Sequence, residues 1–326
     1  MTDMPRLTIL ICTHDRAGLL ERTLRSLNAA LRPAGWEVGV LVAANACTDD
    51  THAFLERYRQ QAAHNGWLPL TWFAEPTPGK SHALNSAMSR LTSDLVAFVD
   101  DDHRVDARYL QAMCEAAERV PEADLFCGRI IPDWDGGEPA WVHDDGPYRI
   151  YPLPVPRFEL GDESREVTPD VGIPGGGNLF LRTPWLLRVG NFATDIGPIG
   201  HDLGGAEDRE WILRALQLGA RLWYTPEMVQ YHYVDVSRLT LPYVLRKAYK
   251  RTASITRVDA DPGGAIVPRY MYRKLAEYGF HALTALGQSR RRFYLVRTAA
   301  AFGEIVGCVQ RRRQTNNAVS AGSPSG

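Results

Sequence analysis

Residues 94–102, DLVAFVDDD, decide the reading of this chain. Leu95 to Val99 form an apolar run of strand length that stops at three consecutive aspartates. Four other runs have the same length and character: LTILIC (7–12), VGVLVA (38–43), PLTWFA (69–74) and DLFCGRII (124–131). Longer amphipathic segments separate them, at Leu19 to Leu31, Thr51 to Ala63, Ser81 to Leu91 and Ala107 to Ala117. Strands alternating with helices of ten or more residues predict an α/β fold, a mostly parallel sheet with right-handed crossovers and helices on both faces.

Ligands of such sheets bind beyond the carboxyl ends of the strands. Each early strand ends there in polar residues. They are Thr13, His14, Asp15 and Arg16 after the first, Asn45 and Cys47 to Asp50 after the second, Pro76 to Lys80 after the third, and Asp100, Asp101 and Asp102 after the fourth. One such cluster reads equally well as a helix cap. Four on one edge point to a ligand site.

Beyond the fifth run the alternation stops. From Pro132 to Pro169 Pro, Gly, Asp and aromatics dominate, Trp134 and Trp141 among them, and this stretch reads as a substrate-facing loop. Order resumes with GGGNLFLR (175–182), a helix near Pro184 to Val189, another from about Glu207 to Leu218, and two strands, RLWYT and MVQYHYV. After Leu239 the pattern turns helical and basic, and Gln314 to Gly326 reads as a disordered polar tail. The resulting division is a domain over 1–238, with a nucleotide half (1–131) and an acceptor half (132–238), then a helical extension (239–313) and the tail (314–326).

Composition excludes several classes. A chain of 326 residues, 45% apolar, with 37 Lys plus Arg against 38 Asp plus Glu, buries a large core and lacks the concentrated positive charge of a general nucleic-acid binder. Five cysteines without a CxxC pair indicate neither a disulfide framework nor a thiolate zinc site, and point to a reducing compartment. The first apolar run is too short for a signal peptide, and the best late candidate for a membrane span, Tyr294 to Val309, is interrupted by Arg297 and Glu304. The arginines at 290–292, 297 and 311–313 read either as a basic amphipathic helix resting on anionic lipid or as a solvated helix packed on the core.

Chemistry is carried by three features. In extended chain Asp100 and Asp102 can point to the same side, giving two hard oxygen ligands suited to Mg²⁺ or Mn²⁺, although an acidic turn can also simply be solvated. GGAED (204–208) opens a helix, where acidic residues complement the dipole and an ionised Asp208 could accept a proton. His232, in VQYHYV, is either a structural strand histidine or an imidazole ligand.

LTILICTHDR, NACTDDT, PGKSHALNSA, VAFVDDDHRVD, GGGNLFLR, GGAED and YTPEMVQYH occur in this order over about residues 6–255, and in this they resemble family 2 glycosyltransferases of the GT-A fold. The resemblance implies a GT-A-like, Rossmann-like sheet with a helical C-terminal extension, and an inverting transfer from a nucleotide-diphosphate sugar, UDP-sugar first among them. It puts Thr13, His14, Asp15, Arg16, Asn45, Gly79, Lys80, Asp100 and Asp101 at the donor, although the family's usual aspartate before Asn45 is Ala44 here. It puts Asp100, Asp102 and His232 on Mn²⁺ or Mg²⁺, makes Asp208 the catalytic base and has Glu207 orient the acceptor. Trp134, Trp141, Asn178 and Trp211 are the expected acceptor contacts. Similarity to bacterial members implies a cytoplasmic enzyme, with peripheral contact at the inner membrane face as an option, acting on a glycan, lipid-linked or small-molecule acceptor. A sugar nucleotidyltransferase would need a Gly-rich, Arg-containing loop after the first strand, which THDRAG does not resemble. A binding module without transfer would not need both the aspartates and Asp208.

Overall fold

The computed structural model describes residues 4–195, 207–259 and 267–321. Gly204 to Ala206 of the GGAED segment, and 322–326 of the expected tail, lie outside these residues. The chain folds into two compact units, Met1–Asp133 with Pro156–Tyr233, and Trp134–Val155 with Val234–Gly326.

The first unit is built on a nine-stranded sheet. Its strands are β1 (Arg6–Thr13), β2 (Glu37–Asn45), β3 (Leu70–Glu75), β4 (Leu95–Phe98), β5 (His103–Val105), β6 (Leu125–Asp133), β7 (Arg165–Val167), β8 (Leu179–Arg182) and β9 (Leu222–Tyr233). The order is β3-β2-β1-β4-β8-β6-β9-β5, with β7 pairing β9. β1 to β4 are mutually parallel, and β6 runs parallel to β9. Because β8 is antiparallel to both β4 and β6, these two groups point the same way, and only β5, β7 and β8 run against them. The expected mostly parallel α/β sheet is the architecture found.

Period-two alternation explains why the first strand is apolar on both faces. Leu7, Ile9 and Ile11 face one buried layer, with Leu20, Leu24 and Leu27 of α1 (Ala17–Ala29), Leu55 of α2 (Thr51–Ala62) and Leu110 and Met113 of α4 (Tyr109–Arg119). Leu10 faces the other, with Leu84 of α3 (Lys80–Met88), Trp185 and Leu186 of α5 (Pro184–Val189) and Trp211 and Ile212 of α6 (Glu207–Gln217). Truncating a fully buried residue such as Ile9 to alanine would cost about 2–5 kcal/mol.

The two strands expected at 221–234 are one, β9, interrupted opposite Gly128. Its pairing with β6 jumps from Cys127↔Tyr224 to Arg129↔Val229, and Pro226, which has no N–H to donate, lies in the jump. A side chain on Gly128 would collide with the Met228 backbone, so the excursion lies flat against the glycine. Two short strands were not expected from the sequence: β5, straight after the aspartates, and β7, inside the loop.

The second unit takes in part of the expected substrate loop. Val142, Val155, Val234 and Leu239 form a buried cluster with Trp134, Trp141 and Leu153, so residues 134–155 share a unit with the chain that follows β9, where the sequence reading has them in the acceptor half of a 1–238 domain. Its helices are α7 (Leu241–Asp259), α8 (Arg269–Thr284) and α9 (Gln288–Ala321). α9 continues through 314–321, where an irregular tail was expected. α7 and α9 touch at Gly303, where a Cβ would clash with the Tyr249 carbonyl, and Lys274 Nζ binds both Glu304 oxygens at 2.8 Å. Arg290 lies over Tyr148 and Arg292 over Trp141, which favours the packed alternative for these two arginines, whereas Arg297 lies over Phe293 of its own helix. Among the described residues no helix is long and apolar enough to cross a membrane.

Candidate active site

The three aspartates leave β4 in a turn closed by the His103 N–H on the Asp100 carbonyl, 3.2 Å. Asp101 turns inward. It is 4% exposed, accepts from Thr13 Oγ1 at 2.7 Å, and shares the Arg16 guanidinium, at 3.0 Å, with Asp102 Oδ2, at 3.1 Å. Burial and the neighbouring Asp102 charge push Asp101 up to about 6, although Arg16 and Thr13 pull the other way. Asp100 points the opposite way and pairs with Lys80 Nζ at 3.0 Å. Burial works against its ionisation, yet the Lys80 ammonium in contact with it outweighs that and holds Asp100 well below the ordinary carboxylate range.

Lys80 joins two chain segments far apart in sequence. Its Nζ is also 3.5 Å from Asp208 Oδ2, in the first turn of α6, and the same oxygen accepts from the Gly176 N–H at 3.0 Å. Burial opposes the ammonium charge, but Asp100, Asp208 and Glu207 together raise Lys80 well above the ordinary amine range. Glu207 is 2% exposed and its Oε2 has no hydrogen-bond partner among the described residues. Burial, with the Asp208 charge beside it, pushes Glu207 up to about 7.

The floor of the site is the glycine pair of GGGN. A Cβ on Gly176 would overlap the Asp208 carboxylate, and one on Gly177 would lie 2.5 Å from Asp100 Oδ2 and 2.9 Å from His103 Cε1. Only glycine lets the backbone pass here.

Two histidines complete the site. His103 and His232 are directly opposed in the β5–β9 ladder, and their rings meet edge to face with centroids 4.9 Å apart. His232 Nδ1 donates to the Tyr233 carbonyl at 2.6 Å, which leaves its Nε2 lone pair 3.7 Å from Asp102 Oδ1. Burial lowers the His232 pKa, favouring the neutral ring. His103 Nε2, on a side chain 1% exposed, lies 3.8 Å from Asp102 Oδ1 and 4.0 Å from Asp100 Oδ2, with no hydrogen-bond partner among the described residues. Asp102, His103 and His232 each bring a ligand atom within 4.8 Å of the others. Carboxylate oxygens and imidazole nitrogens converging in this way fit a divalent cation of the Mn²⁺ type.

The structure gives several residues expected at the donor a partner within the protein. Asp15, at φ 50°, accepts from the Thr48 N–H (2.6 Å), the Asp49 N–H (3.1 Å) and Thr48 Oγ1 (3.1 Å), so it organises the β2–α2 loop. Those bonds, the Thr48 N–H first, lower its pKa. Asn45 accepts from the Gly79 N–H at 2.8 Å and donates to the Thr77 carbonyl at 2.6 Å, stapling the loop that carries Lys80. Gly79, at φ 130°, needs the freedom of a glycine there. His14 Nδ1 donates to the Asn45 carbonyl at 2.8 Å, at the tip of β1, and Ala44 is fully buried.

Two expected acceptor contacts are corrected. Asn178 is 1% exposed and saturated: it donates to the Arg129 and Met228 carbonyls and accepts from Tyr109 Oη and Gln230 Nε2. Trp211 is completely buried, stacks on Phe192 at 5.2 Å and donates to the Gly190 carbonyl. Both hold the fold. Trp134 and Trp141 belong to the second unit, where they pack on its apolar cluster. Sequence reasoning missed His103, Gln230 and the glycine pair. The signals were a histidine adjoining the aspartates, and Gln230 two residues before His232, on the same strand face.

Residues 8–186 match the model of Glycosyl transferase family 2. The chain is 23% identical over 303 residues to the succinoglycan biosynthesis protein ExoM of Rhizobium meliloti (strain 1021), covering 91% of each. It is 25% identical over 153 residues, 46% of each, to the glucosyl-dolichyl phosphate glucuronosyltransferase of Haloferax volcanii. Among solved structures it resembles the mannosyltransferase PcManGT of Pyrobaculum calidifontis in complex with GDP-Man and Mn²⁺ (TM-score 0.53, 19% identity, 99% of this chain and 77% of that one). It also resembles S. aureus TarS 1–349 in complex with UDP (TM-score 0.53, 18% identity, 95% and 92%). A further TarS structure gives a TM-score of 0.54 at 15% identity over 92% of this chain, which spans 55% of that protein. At these identities the structural likeness establishes the GT-A fold. The family model covers more than half of the 326 residues, and the protein is a glycosyltransferase, a member of family 2.

Proposed function

We propose that this enzyme moves a sugar from a nucleotide-diphosphate sugar, UDP-sugar first among the donors to test, to a hydroxyl of a glycan, lipid-linked or small-molecule acceptor, with inversion at the anomeric carbon. One observation carries the reading: Lys80 bridges the aspartate turn and Asp208, at 3.0 and 3.5 Å, so that donor-side charge and a proton acceptor share one cleft. The likeness to a protein named for succinoglycan biosynthesis supports a polysaccharide acceptor.

In this mechanism Asp208 takes the proton of the acceptor hydroxyl while its oxygen attacks the anomeric carbon. The bond from that carbon to the diphosphate breaks on the opposite face, and the diphosphate leaves with the electron pair. Lys80 offsets the growing negative charge. Arg16 and Thr13 fix Asp101 and Asp102 in place. Asp100, Asp102 and His232 would hold Mn²⁺ or Mg²⁺, which supplies Lewis-acid stabilisation of the leaving diphosphate when bound. Glu207, buried beside the base, would set the acceptor side of the cleft.

Thermal melting of the protein with UDP- and GDP-sugars, in Mn²⁺ and in EDTA, tests this. A ligand at about 100 times its Kd adds about 2.7 kcal/mol to the native state, so a bound donor raises the midpoint in Mn²⁺ and less in EDTA. A midpoint unmoved by every nucleotide sugar in Mn²⁺ would overturn the donor reading. Equal shifts in EDTA would overturn the metal.

A further inference from the structure

His103 stands outside the roles given so far, and its surroundings specify its chemistry. Asn178 Nδ2 is committed to two carbonyls, Arg129 and Met228, so Asn178 presents only its oxygen to Gln230. Gln230 must therefore donate from Nε2, to Asn178 Oδ1 at 3.1 Å and to Tyr109 Oη at 2.5 Å. That leaves Gln230 Oε1 to face His103 Nδ1, in a short hydrogen bond, and an amide oxygen only accepts. The proton of the neutral ring is thereby fixed on Nδ1. His103 Nε2 presents a lone pair towards Asp102 Oδ1 and Asp100 Oδ2, and His232 Nε2 presents another to the same Asp102 oxygen. Acceptors facing acceptors in a buried cleft repel unless a cation joins them, and no protein donor among the described residues reaches His103 Nε2.

We propose that His103 is a metal ligand in its own right, adding a second imidazole to the Asp100, Asp102 and His232 set, and that Gln230 is the residue that positions it. This rests on the metal reading above. Two imidazoles suit transition ions, whose affinities rise from Mn²⁺ through Co²⁺, whereas Mg²⁺ strongly prefers oxygen ligands. The site should therefore take Mn²⁺ and Co²⁺ in preference to Mg²⁺. The ladder explains the construction. β5 is only three residues long, yet it sets His103 opposite His232, and Gln230 follows two residues away on the same face of β9.

Electron spin-echo spectroscopy of the full chain with Mn²⁺ and UDP, repeated with GDP, tests this without an activity assay. Two histidine nitrogen couplings to Mn²⁺ are expected in the unaltered protein, and one in each of His103→Gln and His232→Gln. Mn²⁺ affinity should fall by about 10- to 100-fold in Gln230→Leu, with both couplings still detectable at saturation, and at least as far in His103→Gln. A single nitrogen in the unaltered protein, assigned to His232 by its loss in His232→Gln, would overturn the role of His103 while leaving the metal in place. Absence of any Mn²⁺ binding with either nucleotide would overturn the metal reading itself. Mg²⁺ displacing Mn²⁺ at equal concentration would overturn the selectivity. The unaltered protein decides the ligand count even if a variant fails to fold.

Discussion

The aspartate turn after β4 and the acidic start of α6 are built from the same chemistry, yet individual carboxylates in them behave in opposite ways. Asp100 touches Lys80 and is held in its ionised form, whereas Glu207, with Lys80 near but not touching, is pushed up to about 7. Asp101, a neighbour of Asp100 in the same turn, is raised to about 6 despite Arg16. A count of carboxylates therefore says little about which of them can take or hold a proton. Contact with a cation and access to solvent decide, and these vary between adjacent residues.

The comparison can be broken first at Asp208. Asp208→Asn keeps its size and the bond from Gly176 but removes the proton acceptor, so turnover should fall by about 10² to 10⁴ while the affinity for nucleoside diphosphate hardly changes. Calorimetry and a transfer assay on one preparation measure both. Near-normal turnover would shift the role of base to Glu207 and invert the contrast.

Glu207 offers the next test, through pH. Its carboxyl binds its proton more tightly in the folded protein than in the unfolded chain, where 4.5 is ordinary. Between about pH 4.5 and 7 the native state thus holds more protons, and stability contributed by this group is complete at low pH and lost as pH rises to 7. That difference is worth about 3 kcal/mol at most. Glu207→Gln should remove that slope, so that urea unfolding of the variant and the unaltered protein diverges from pH 5 to 7. Parallel curves would show that Glu207 is as solvated as an ordinary surface carboxylate.

Lys80 sharpens the contrast with the smallest effect. Lys80→Met leaves Asp100 and Asp208 facing each other without their shared cation, and the affinity for nucleoside diphosphate in Mn²⁺ should drop about tenfold, or about 1.4 kcal/mol. Unchanged affinity would mean that Lys80 serves the folded state alone.

Much of this was legible in the sequence because it is local. Runs such as 7–12 and 38–43 reveal their strands through composition, and α5 matches its expected bounds at Pro184–Val189 because a proline opens it and Gly190, at φ 83°, follows it. The aspartates and Asp208 stood out as charges at strand and helix ends, and the fold brings both to Lys80. What escaped depends on register. Nothing near His103 in sequence shows that it will face His232, and β5 is too short for periodicity to mark it. Asn178 and Trp211 were misread for a related reason: a polar amide and an indole suggest contact with sugar, but Asn178 is consumed by four protein partners and Trp211 by a carbonyl and a stacked ring. Likewise the bonds that occupy Asp15 and Asn45 come from backbone groups that only the folded loops bring near.

The glycine floor has a consequence in terms of motion. A side chain lining a site can change rotamer and let its neighbours relax, but Gly176 and Gly177 have no such freedom to offer. Asp100, Asp208 and His103 rest against backbone alone on that side, and this backbone runs directly into β8, which lies between β4 and β6 in the sheet. The site can widen there only if the middle of the sheet gives way, so its stiffness is inherited from the most deeply braced part of the unit.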